Sequence, residues 1–191
     1  MLKTGLLFGS FNPIHLGHIA IAGYIKEFET IEEIWFIVSP RNPFKNPKQL
    51  VSPAARLEMT RLAIEDYPAF MASDIEFNMP RPSYTIDTLD KLSGKYPERD
   101  FHLIIGTDNI KSIGQWKGGK TLIKDHKFLI YPRLNTDNSR LNQFINARLV
   151  DAPIIELSSS FIRESITQGK DMRAFVPSGT YGYIKKNGFY S

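Results

Sequence analysis

Short, strongly apolar runs alternate along this chain with longer stretches of helical spacing, and that rhythm limits the fold more than any other feature. Lys3 to Phe8, Glu33 to Val38, Phe101 to Ile105 and Lys127 to Tyr131 each read as buried strands, and Phe70 to Ala72 as a shorter one. Leu16 to Phe28 places Ile19, Ala22, Ile25 and Phe28 on one face of a helix. Ser52 and Pro53 make an N-cap and N1 pair for a helix running to Asp66. Tyr84 to Leu92, Ser158 to Gln168 and Ser178 to Lys186 also read as helices, with a further helix expected near Ser139 to Asn146 and a short strand near Ile154. Apolar strands interleaved with helices predict an α/β, Rossmann-like parallel sheet with helices on both faces. The 191 residues suffice for one sizeable core, so residues 1–191 are expected to form a single domain. In such a sheet ligands bind beyond the C-terminal ends of the strands, where the strand order reverses. Motifs that directly follow strands are therefore the place to look for function.

Composition closes off several classes. The chain has no cysteine, which excludes disulfides, thiolate metal sites and cysteine nucleophiles. The net charge of +4 is spread out, with no run of five basic residues, so a nucleic-acid partner is not expected. The opening MLKTGLLFGSFNP has too short an apolar stretch for a secretion signal. No stretch approaches 18 continuous apolar residues, so no membrane partner is expected and a cytoplasmic location is the default. The sequence leaves a homo-oligomer open.

GSFNPIHLGH, residues 9–18, follows the first strand and enters the first helix. Gly9 permits a close backbone approach, and Asn12-Pro13 ends the strand. His15 and His18 are three apart on the first helical turn and face the same side. Amides at a helix N-terminus attract anions, so the segment offers imidazoles and N–H groups to a phosphate. A histidine pair could also begin a zinc site, but no acidic third ligand is close in sequence. LSSSFIRESI, residues 157–166, starts another helix with three serines and places Arg163 near its positive end. Asp108, in GTDN, ends the most apolar strand, a usual place for a ligand-facing carboxylate. Trp116 is either core or a platform for a flat, cationic ring.

GSFNPIHLGH resembles the HxGH signature of a nucleotidyltransferase superfamily, and LSSSFIR is similar to its ISSTxIR signature, with Leu157 for Ile and Ser160 for Thr. SYTIDTL at 83–89 and the Gly106, Asp108 and Trp116 spacing look like the YTxDTL and GxD…W segments of the bacterial nicotinate mononucleotide adenylyltransferases. The resemblance runs through VPSGTYGYIKKNGFY and covers nearly the whole chain. It departs at Asn12, where the bacterial branch usually has Asp, and at Leu134-Asn135, where Pro-Gly usually follows the arginine matched by Arg133.

The resemblance implies adenylyl transfer from ATP to nicotinate mononucleotide, giving deamido-NAD and pyrophosphate. It assigns His18 to the α-phosphate, His15 to the phosphates beside it, and Arg163 with the Ser158 and Ser159 amides to the departing pyrophosphate. Gly9, Ser10, Phe11, Gly106, Asp108, Phe161 and Ile162 fall on the ATP side. Tyr84, Thr85 and Trp116 fall on the pyridine side, and Lys45, in SPRNPFK, near the mononucleotide phosphate. Mg²⁺ is expected as cofactor, held mainly by ATP phosphates and water, with no protein metal ligands. A transferase of pantetheine phosphate or of a cytidine nucleotide would keep both phosphate motifs but would not need Trp116 or YTxDTL. A binding protein without turnover would be expected only if His15, His18 or Arg163 were missing.

Overall fold

The computed structural model describes residues 1–41, 50–136, 139 and 141–191. Six strands, β1 (Leu2–Gly9), β2 (Glu33–Val38), β3 (Phe70–Ser73), β4 (Arg99–Gly106), β5 (Lys127–Tyr131) and β6 (Ala147–Leu149), form one sheet in the order β3-β2-β1-β4-β5-β6. Every neighbouring pair is parallel. The helices are α1 (Leu16–Phe28), α2 (Pro53–Ile64), α3 (Thr85–Lys95), α4 (Gly119–Asp125), α5 (Ser159–Thr167) and α6 (Ser178–Asn187).

The sheet separates two apolar layers. One gathers α1, α2, α5 and α6 around Phe36, Ile25, Met59, Ile162 and Ile184. The other gathers α3 and α4 around Trp35, Leu89, Leu103, Leu122 and Phe128. Alternate residues of one strand serve opposite layers: on β2, Trp35 and Ile37 belong to the second, Ile34 and Phe36 to the first. That accounts for the continuously apolar strand sequences. The strand order reverses between β1 and β4, so a crevice opens at the C-terminal ends of those two strands.

The helix expected near 139–146 does not form among the described residues. Among the described residues of that stretch only one 3-10 turn forms, Leu141–Gln143. Asn142 and Asn146 are weak helix formers, and Phe144 anchors the segment by burying against Phe128 instead. The sixth strand lies at Ala147–Leu149, not at Ile154, which is half exposed and follows a proline that cannot donate to a ladder. α4 was not anticipated: its N-cap, Gly118, has φ +67, and two glycines mask the helical start.

Candidate active site

At the end of β1 the chain makes a sharp detour. Phe11 has φ +45 and Asn12-Pro13 is cis. A Cβ on Gly9 would lie 2.7 Å from the Phe11 ring, so glycine is what lets this ring fold back beneath the strand end. Phe11 is buried against Phe36 and meets the His18 ring edge-on at 5.1 Å.

α1 begins with His15 as N-cap and His18 as its third residue. The His15 amide donates to His18 Nδ1 at 3.2 Å, a reach-back that a glutamate or glutamine makes in an ordinary capping box. The two imidazoles stack with centroids 3.7 Å apart and 29° between planes. An Nδ1 that accepts a hydrogen bond carries no proton, so the proton of a neutral His18 sits on Nε2. The fold thereby sets His18 as a donor. The first-turn amides are less open than the sequence suggested: Leu16 N–H donates to Phe175 O and His18 N–H to His15 O.

From the far end of the chain α5 closes against this detour. Ser158 caps the helix, its hydroxyl accepting from the Phe161 amide at 3.2 Å. The Ser159 hydroxyl donates to Pro13 O at 2.8 Å, and Arg163 Nη1 donates to Asn12 O at 2.9 Å. Three of the five N–H bonds of this guanidinium remain after its bonds to Asn12 O and Ser160 Oγ. Asn12 is almost wholly buried, and its Oδ1 accepts from Val51 N and from the Tyr190 hydroxyl.

His15, His18, Ser158, Ser159 and Arg163 line one cleft of about 610 Å³, together with Asn12, Asp108, Arg133, Thr136 and Glu156. Asp108 arrives from the turn after β4, where a Cβ on Gly106 would run into its Oδ1. Arg133, at the end of β5, donates to Ile155 O and stacks over the Tyr131 ring, whose phenol is raised by burial despite the guanidinium beside it. Asn135 takes φ +55, a left-handed conformation that asparagine tolerates. Among the described residues no group of three histidine or acidic side chains could hold a metal.

The remaining sequence-assigned residues fall elsewhere. Ser10 and Phe11 are buried behind the cleft, and Ile162 is fully enclosed with its amide on Ser158 O. Phe161 is half exposed beside Phe175. Tyr84, Thr85 and Trp116 belong to a second group: Lys117 pairs with Asp87 at 2.7 Å and lies over the Tyr84 ring, joining the start of α3 to the Trp116 turn. Lys45 lies outside the described residues.

Sequence reasoning passed over Arg56 and Glu76. Arg56, on α2, is fully buried and donates to the carbonyls of Ser10, Ser39, Pro40 and Val51. Burial lowers its guanidinium to about 10, so it stays charged at neutral pH. Glu76, also buried, accepts from the hydroxyls of Ser83 and Thr88, one on each side of Tyr84 and Thr85. An arginine amid helical periodicity and a glutamate alternating with Ile75 and Phe77 both look like surface residues, and no local signal marks them.

Residues 6–165 match the cytidylyltransferase-like family model. A protein of Bacteroides fragilis described as "Probable nicotinate-nucleotide adenylyltransferase" is 49% identical over 184 residues, covering 95% of this chain and 90% of its own length. The chain belongs to the nicotinate-nucleotide adenylyltransferase family. A relative in Flavobacterium johnsoniae with the same description is 42% identical, over 99% of both chains. The nicotinic acid mononucleotide adenylyltransferase of Plasmodium falciparum, solved in complex with NaAD, superposes with a TM-score of 0.87 at 24% identity, covering 100% of this chain and 98% of that one. At that identity the superposition speaks for the fold, and it agrees with the parallel sheet described above.

Proposed function

We propose that this protein transfers the adenylyl group of ATP to nicotinate mononucleotide in the cleft between the β1–α1 turn and α5. The observation that carries the assignment of roles is the meeting of two anion-binding segments about 150 positions apart, through Arg163 to Asn12 O and Ser159 to Pro13 O. In the reaction a mononucleotide phosphate oxygen attacks the α-phosphorus of ATP in line, and the bond from that phosphorus to the pyrophosphate oxygen breaks. The attacking phosphate is already an anion at neutral pH, so the chemistry calls for no general base. Catalysis rests on bringing two anions together and stabilising the charge that develops on the equatorial and leaving oxygens.

His18 donates from Nε2 to the α-phosphate, with Nδ1 held by the His15 amide. His15 stacks against it and serves the adjacent phosphates. Arg163 and the first amides of α5 receive the departing pyrophosphate. Asp108, which lines the cleft, is assigned to the adenosine, and the Tyr84, Thr85 and Trp116 group, which lies outside that lining, to the pyridine. Mg²⁺ fits as an ion carried in by ATP phosphates: among the described residues the cleft is lined by the carboxylates Asp108 and Glu156 but by no group of three that could hold a metal. When bound it neutralises phosphate charge. A cytoplasmic setting suits these substrates.

The His18→Ala variant tests the site. Loss of one donor to developing charge lowers turnover on the order of 10²–10³-fold. A turnover within a few-fold of the unaltered protein would contradict the role of His18.

A further inference from the structure

We infer that Tyr190 is a positioning residue for adenylyl transfer, acting through Asn12 on Arg163. Its hydroxyl donates to Asn12 Oδ1 at 2.8 Å, and the main-chain carbonyl of the same asparagine accepts from Arg163 Nη1 at 2.9 Å. Asn12 therefore joins the phenol to the guanidinium across a single residue. The same Oδ1 also accepts from the Val51 amide, and Val51 O is in turn held by Arg56 Nε. Rotation of the Asn12 side chain is thus fixed from two sides.

Tyr190 is itself held in place. Its φ is +66, a region that bulky residues rarely adopt and that persists only where the surroundings impose it. The Thr167 hydroxyl lies 3.0 Å from Tyr190 O and 3.1 Å from Arg163 O, so one proton serves the residue being positioned and the residue that positions it. Burial raises the phenol well above its ordinary range, against the pull of Arg163 and Arg56, and this keeps the hydroxyl a donor. Nothing in the proposed chemistry needs Tyr190 to touch a substrate.

The inference rests on the assignment of Arg163 to the departing pyrophosphate, an interaction that strengthens in the transition state. Loss of its support should lower turnover more than substrate affinity. Tyr190→Phe removes one hydroxyl and keeps the ring. Its turnover is expected to fall about fivefold to tenfold, with KM for ATP and for nicotinate mononucleotide within about twofold. In an Arg163→Ala background the same substitution should change turnover less than about twofold, because the path it acts through is gone. Thermal melting and ATP-binding stoichiometry report whether each variant is folded.

Turnover of Tyr190→Phe within twofold of the unaltered protein overturns the role of Tyr190 and leaves Arg163 standing. An equal loss in both backgrounds also overturns it, since that is the mark of a general structural effect. An Arg163→Ala protein with undiminished turnover removes the assignment of Arg163 and the inference with it.

Discussion

A Cβ on Gly17 would lie 3.0 Å from His15 Nδ1 and 3.4 Å from Ile155, so the glycine between the histidines keeps the space in which the His15 ring folds over α1. The neighbouring imidazole is stacked on that ring, and any shift of one passes to the other. Gly17→Ala is therefore expected to lower turnover about tenfold, because small misplacements of a donor are costly. The effect on the melting temperature should be small, since the new methyl adds little strain beyond the ring it displaces. Steady-state kinetics beside a thermal melt separate the two, and unchanged turnover would contradict the geometry. The closeness of the two imidazoles was legible in the sequence because histidines three apart in a glycine-containing strand–helix turn share one face. The direction of the His15 amide, which selects the His18 tautomer, was not: it depends on the backbone dihedrals of the cap.

At the scale of elements, α2 holds the crevice together from beneath. Arg56 reaches from this helix to the turn after β1, the exit of β2 and the approach to α2 itself. No carboxylate is among these partners, and four carbonyls share the charge. Arg56→Met strips those carbonyls of their common donor and should lower unfolding stability by about 3–5 kcal/mol. Arg56→Lys keeps the charge but gathers its donors on one nitrogen, and should fall between the two. Urea unfolding measures both, and a loss below about 1 kcal/mol in the Met variant would contradict the clamp. The limits of sequence reading also show here. Strands β2 and β5 and helix α1 stand where their apolar patterns placed them, because burial on both faces leaves a strong local signal. The sixth strand and α4 were misplaced or missed because they are short, and tertiary packing decides them.

For the molecule as a whole, strand order converts sequence distance into proximity. β1 and β4 are central neighbours, so the turns that carry His18 and Asp108 open into the same crevice, and α5 folds back across it. The cleft was legible as a pair of motifs with a known resemblance. Its closure by Asn12, Pro13 and Tyr190 was not, because those bonds link residues more than a hundred positions apart. Tyr84 and Trp116 lie outside the lining of the phosphate cleft, and the choice of substrate is assigned to them. Pyrophosphate release from ATP and Mg²⁺ tests that claim most directly, with nicotinate mononucleotide, nicotinamide mononucleotide and pantetheine phosphate offered in parallel. Rapid release is expected with nicotinate mononucleotide and none with pantetheine phosphate, the amide reporting how strictly the acid is preferred. Release with pantetheine phosphate alone, or with none of the three, would contradict it.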